Sequence, residues 1–271
     1  PAAAIPDSVR AELFEKLPKG RIAPESPGKA RYRDRRLVAL YFDMTAMQDA
    51  DQVRALSAAE KFVRSQMAAN DLLALLQFTG GAVQVLQDFT DDRMRLLKVL
   101  RTMVVGEGEG YDENPADASS SDTGAAFGQN EGEFNVFNTD RQLSALQTAA
   151  RMLGQLSEKK VLVYFASGLR LNGADNQAQL RATVNSAVRA GVAFWPVDAR
   201  GLVAQAPLGD ASRGSQGGVE MYTGATAIAA QSNFQRSQDT LWSIAADTGG
   251  KSLLDSNDLA SGIRQARESI A

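Results

Sequence analysis

The apolar run Leu37-Val-Ala-Leu-Tyr-Phe42 closes on a single carboxylate, Asp43, with the hydroxyl of Thr45 two positions on. A run this continuous, and too short for a bilayer, reads as a strand buried on both faces. Both faces of a strand are covered when helices pack on either side of a parallel sheet. An aspartate at the carboxyl end of a central parallel strand then lies in the crevice where open α/β sheets bind ligands.

The rest of the chain repeats that theme. Leu72–Phe78 reads as a second buried strand. Gly80-Gly81 turns it into 82–89, where Val83 and Val85 alternate with Gln84 and Gln87, so the pair is expected to be a hairpin with an antiparallel edge. Val161–Phe165 and Val192–Val197 are further strands, and Lys251–Leu254 a short one. Pro196 inside its strand implies a strand end or an unpaired edge position, because it cannot donate to a ladder.

Between the strands fall helical patterns. One covers 51–67, with Val53, Leu56, Phe62, Val63 and Met67 on one face. A second follows the cap Thr90-Asp-Asp92, and a third follows Thr139-Asp-Arg-Gln142, which fits a capping box. Others cover 176–190, with Leu180, Val184 and Val188 inward, then 237–247 before Thr248-Gly-Gly250, and 258–270. Strands and helices alternating at this spacing give a doubly wound, mostly parallel α/β sheet with one antiparallel edge.

The chain divides into 1–34, a short helix capped by Asp7-Ser8 and a Pro-rich basic linker, and 35–271, the folded domain. At 271 residues and 44% apolar, the chain has enough for one domain of about 200–230 residues plus irregular segments. Two stretches read as flexible insertions. Val104 to Asn138 holds eight acidic residues and no lysine or arginine, and Leu202 to Gln235 is rich in Gly, Ala, Ser and Gln. Gly106-Glu-Gly-Glu-Gly110 is not a phosphate loop, since its glutamates repel phosphate and it joins no strand to a helix. Asp112, Asn114 and Asp117 do not follow an EF-hand spacing.

Composition narrows the chemistry. No cysteine and no histidine means no thiolate, no disulfide, no Ser-His-Asp triad and no imidazole zinc site. Neither a Walker A loop nor a dinucleotide fingerprint occurs. An enzyme is therefore not expected. A net charge of −3 offers nucleic acid no general attraction, and Lys29, Arg31, Arg33, Arg35 and Arg36 read as a solvated strand entrance. No stretch is long and apolar enough to span a bilayer. Pro1 in place of a methionine fits a processed chain or a piece of a longer one, which a signal peptide could precede.

Asp43-x-Thr45-x-Met47 resembles the Asp-x-Ser-x-Ser motif that opens von Willebrand factor A (VWA) domains. Phe137-Asn-Thr-Asp140, Lys160-Val-Leu-Val-Tyr-Phe165, Val197-Asp-Ala-Arg-Gly-Leu202, Ala246-Asp-Thr-Gly-Gly-Lys251 and Asn257-Asp-Leu259 extend the resemblance from Arg35 to Ile270. They are most similar to the bacterial VWFA-related branch described from Acidobacteria. The resemblance implies a metal-ion-dependent adhesion site built from the first motif, a threonine of a second loop and an aspartate of a Thr-Asp-Gly loop. By that resemblance Asp43, Thr45 and Thr139 are candidate ligands for Mg²⁺ or another divalent cation. Met47 replaces the second hydroxyl, and its thioether suits such a cation poorly. Ser167, in Ala166-Ser-Gly168, replaces the aspartate. Met47, Ser167 and Asp198 are then rim residues, Asp198 ordering the Asp-Ala-Arg-Gly turn. The expectation is a degenerate site with weak metal binding or none, and no certain cofactor. By the same resemblance the chain is a non-catalytic module that binds a protein partner, or a structural domain of a larger exported assembly. Placement outside the cytoplasm is likewise implied.

Overall fold

The computed structural model describes residues 20–24, 32, 34–106, 127–171, 173–202 and 225–270, with backbone alone for 127–136, 173 and 225–230. The order is β1 (Arg36–Asp43), α1 (Asp49–Ser65), β2 (Asp71–Phe78), β3 (Gln84–Thr90), α2 (Arg93–Leu100), α3 (Phe127–Leu153), β4 (Lys160–Ala166), α4 (Gly173–Arg189), β5 (Val192–Asp198), α5 (Ala225–Thr248) and α6 (Leu259–Glu268). The sheet runs β3-β2-β1-β4-β5. Only the β2–β3 pair is antiparallel, as the Gly80-Gly81 hairpin requires.

Alternation along β1 explains its unbroken apolar run. Leu37, Ala39 and Tyr41 face one core with Leu143, Leu146, Leu180, Leu241 and Ile244, from α3, α4 and α5. Val38, Leu40 and Phe42 face the other core with Phe62, Leu96, Leu100, Leu259 and Ile263, from α1, α2 and α6. Three helices per face leave β1 no solvent side. Its in-register neighbours lock by ring packing, Phe42 stacking on Phe165 at 5.0 Å and Tyr41 tilting against Tyr164 at 5.7 Å. β1 pairs with β2 on one side and β4 on the other, so the switch in strand order falls beside Asp43.

Pro196 sits where its missing N–H costs nothing. Lys160 N–H bonds Gly191 O and Ala199 N–H bonds Ala166 O, so the odd residues of β5 face β4. Pro196 therefore faces the open edge, where its carbonyl accepts Leu253 N–H at 2.8 Å. The short strand expected at 251–254 shrinks to one bridge, Val197 to Leu253.

Several expectations need correction. Two long helices reach back into stretches that read as irregular, α3 from Phe127 and α5 from Ala225. In α5 the signal was present but misread, since Ala225, Ala227, Ala229 and Ala230 are strong helix formers. The capping box at Thr139 does not start its helix, because Thr139 lies twelve residues inside α3. Val53 is 51% exposed and Val188 58%, so neither joins a core face. Ile22 and Tyr32, in the stretch read as a linker, pack into the core beside β3. Residues 1–19, including the Asp7-Ser8 helix, and the metal-like spacing at 112–117 lie outside the described residues.

Arg35 and Arg36 close the strand entrance by bonding within the protein. Arg35 donates to Ala69 O at 2.6 Å and Arg36 to Asp71 at 2.7 Å.

Candidate functional site

Asp43 ends β1 fully buried, and its carboxylate is bonded within the protein itself. Oδ1 accepts Thr45 N–H at 3.2 Å, Ala46 N–H at 3.1 Å and the Thr45 hydroxyl at 2.6 Å. Oδ2 accepts the Tyr164 hydroxyl at 2.9 Å from the adjacent strand. Oδ1 thus takes three donors and Oδ2 one, so the carboxylate is held by four donors of the protein. Burial pushes the Asp43 carboxyl up to about 6, although all four donors pull it down. The same burial, with the Asp43 charge beside it, raises the Tyr41 hydroxyl well above its ordinary value.

The loop after Asp43 is fastened from below. Gln52 of α1 donates to Met44 O at 3.0 Å and Met47 O at 2.9 Å, and its own carbonyl accepts Gly106 N–H. Met47 is buried in the core with Phe62 and Met67, so its side chain is a packing element and not part of an open rim. Ser167 is half-buried; its N–H bonds Ala46 O at 2.9 Å, and its hydroxyl bonds Asp51. Asp51 is also paired to Arg54.

Thr139 reaches the rim from α3, where its hydroxyl donates to Arg170 O at 3.0 Å in the loop after β4. One turn further on, Gln142 donates to the Thr45 hydroxyl oxygen at 3.3 Å. Asp198 ends β5 and orders its turn as the sequence implies. Its Oδ1 accepts Arg200 N–H at 3.1 Å and Arg200 Nε at 2.9 Å, and its Oδ2 accepts Arg200 Nη2 at 2.7 Å.

Solved structures match this architecture. An aerotolerance-related membrane protein from Bacteroides fragilis matches at a TM-score of 0.50 and 15% identity, over 86% of this chain and 99% of that one. The pilus adhesin SpaC from Lactobacillus rhamnosus GG matches at 0.50 and 9% identity, over 88% of this chain and 30% of that one. The vWF domain of the type V pili tip protein Mfa5 from Porphyromonas gingivalis also matches, with a TM-score of 0.31, 14% identity and coverage of 49% and 38%. The chain has a VWA-like fold. No protein-family profile matches the sequence, and no curated protein matches it. Nothing in these likenesses selects a branch of the family.

In this VWA-like frame the two carboxyl-end loops at the β1/β4 switch meet, through Ser167 N–H and Ala46 O. Asp43 and Thr45 come together, and Gln142 joins them to α3. Thr139 and Asp198 are tied instead to Arg170 and Arg200. Sequence reasoning missed Tyr164, Gln142, Gln52 and Asp51, whose roles depend on cross-strand and helix-to-loop pairing. Among the described residues, no group of three or more carboxylates gathers.

Proposed function

We propose that the chain is a non-catalytic protein-binding module of an exported bacterial protein, one whose rim meets its partner without a resident cation. The observation that carries this reading is the buried Asp43 carboxylate, engaged by four donors of the protein itself. A hard divalent cation needs oxygens with free lone pairs in near-octahedral array. The Asp43 carboxylate already accepts four hydrogen bonds, from Thr45, Ala46 and Tyr164, Met47 is packed in the core, and Ser167 is bonded to Asp51. These residues do not fit the cation.

The module reading draws support from the pilus adhesin among the similar structures, and extracytoplasmic placement from that adhesin and the membrane protein. At such low identity both supports are analogies of fold. No described helix is long and apolar enough to cross a membrane. A structural domain with a vestigial site is the second reading. The internal bonding of the rim residues favours it as much as it does a metal-free binding surface.

Two measurements test the proposal. Thermal unfolding in chelator and in millimolar Mg²⁺, Mn²⁺ or Ca²⁺ is expected to give superimposable curves, because a ligand specific to the native state must raise its stability. A rise in wild type that disappears in Asp43→Ala sinks the metal-free reading. Binding to a panel of secreted and cell-surface proteins is then compared for Gly81→Arg and Met94→Arg. Gly81 is at the hairpin tip beside the rim, with open space around its Cβ position. Met94 is 76% exposed at the start of α2, past the far end of the sheet. The two changes add the same charge. Loss of binding in Gly81→Arg alone supports a rim interface. Equal behaviour of the two, or no binding at all, favours the structural domain.

A further inference from the structure

We infer that Arg200 is a preset guanidinium that receives a carboxylate of the protein partner directly. This deepens the binding-module reading and rests on it. The loop Ala166-Ser-Gly168 carries no carboxylate of its own, and Arg200 lies against it. A Cβ placed on Gly168 would come within 3.0 Å of Arg200 Nη2 and 2.6 Å of Ser237 Oγ.

Donor counting shows what is left over. A guanidinium has five N–H donors. Nε spends one on Asp198 Oδ1, and Nη2 spends two, on Asp198 Oδ2 at 2.7 Å and Ser237 Oγ at 3.0 Å. Both donors of Nη1 go to none of the described residues. Asp198 is the opposite case. It accepts three N–H groups of Arg200 and a fourth from Gln238 at 3.3 Å, so its acceptor capacity is full. Among the described residues the acid is saturated and the base is not.

The guanidinium is also fixed in place. Its carbon stands 4.1 Å from the centre of the Phe234 ring, and the Ser237 hydroxyl that it meets donates to Phe234 O at 2.7 Å. Stacking and the bidentate bond to Asp198 set the plane before any ligand arrives, which reduces the ordering cost of binding. The side chain remains 18% exposed. Paired N–H donors held in a plane suit a carboxylate oxygen, with a charge-assisted bond. An acidic side chain on a protein surface and a small free anion both offer such an oxygen; the protein surface is the source inferred here.

The test titrates the whole chain, in chelator, with a peptide of ten glutamates, with glutarate and with inorganic phosphate, following the arginine Nε–H signals by NMR. The peptide is expected to shift the Arg200 signal and to bind more tightly than glutarate or phosphate. Arg200→Lys keeps the charge but loses the fork, and is expected to weaken the peptide about ten-fold. Phe234→Leu removes the stack and should weaken it too. Arg264→Gln, an exposed charge on α6, should change it by less than about two-fold. Melting curves establish that each variant is folded. Equal losses in Arg200→Lys and Arg264→Gln would mean a general charge effect and overturn the inference. So would phosphate matching the peptide at Arg200, or an unmoved Arg200 signal. An unmoved signal, with partner binding still abolished by Gly81→Arg, overturns the arginine anchor and leaves the binding module standing.

Discussion

Asp43→Ala is expected to lower the melting temperature by about 10 °C at pH 7, a loss of about 3 kcal/mol. The substitution removes the carboxylate acceptor of the buried Thr45 N–H and of the Thr45 and Tyr164 hydroxyls, and leaves the Ala46 N–H only its bond to the residue 43 carbonyl. Removing one partner of a buried hydrogen-bonded charge costs more than the net worth of the interaction, because the donors left behind keep their desolvation penalty. Asp43→Asn should cost far less. Its amide oxygen can still accept from the loop, and the Tyr164 hydroxyl can turn to accept from its NH₂.

The pH dependence of that difference has a definite sign. The Asp43 carboxyl is raised from 3.8 to about 6 in the folded protein, so between those values the folded state binds more protons than the unfolded one. Stability attributable to Asp43 is then highest near and below pH 4 and declines as pH rises through 6. The total swing is about 3 kcal/mol, from the size of the shift. Wild type should therefore lose stability relative to Asp43→Asn between pH 4 and pH 7 and run parallel to it above pH 7. Tyr41, whose hydroxyl is raised well above its ordinary value, remains protonated throughout this range. Parallel curves from pH 4 to 7 would show that the four donors offset the burial penalty.

How much of this was legible in the sequence depends on how far the partner of each residue lies along the chain. The double burial of β1 could be read because an unbroken Leu37–Phe42 run has only one economical placement. The turn at Asp198 could be read because its carboxylate bonds the N–H two residues on. Tyr164 could not, since it is one apolar strand residue among several until the β1–β4 register sets it beside Tyr41 and brings its hydroxyl to Asp43. Thr139 was misread for the reverse reason. A local capping pattern was complete on paper, but the hydroxyl is held by Arg170 O, and tertiary contact overrides a local preference. Phe234 and Ser237, which position Arg200, fell in or beside a stretch that read as an insertion because its polar, small-residue composition hid the start of α5.

Two of the motifs that extend the resemblance prove to be fasteners on the β5 side of the sheet. Asn257 Oδ1 accepts Leu202 N–H at 3.0 Å, joining the turn after β5 to the start of α6. Thr248 of Ala246-Asp-Thr-Gly-Gly-Lys251 accepts Phe194 N–H at 3.0 Å, filling an edge position that no strand covers. Such bonds hold the sheet edge and its loops together and touch none of the candidate ligands Asp43, Thr45 and Thr139. The resemblance was therefore a sound guide to architecture.

The Thr248-Gly-Gly250 stop provides the sharpest separation of two neighbouring residues. A Cβ on Gly250 would lie 1.8 Å from Phe194 O and 2.8 Å from Phe194 C, both backbone atoms of β5. Neither can withdraw without shifting a strand paired along its length to β4. Gly250→Ala is thus expected to cost more than about 4 kcal/mol, in the class of severe overpacking. Gly249 is a different case. Its φ of 80° is left-handed, but nothing lies within 4 Å of its Cβ position. Gly249→Ala then meets only the backbone penalty, about 1–2 kcal/mol. Urea midpoints of the two variants, with slopes compared to wild type, test this directly. If Gly249→Ala proves the more damaging, close packing of α5's end on β5 is not what the glycine pair serves. The helix stop alone would then explain it.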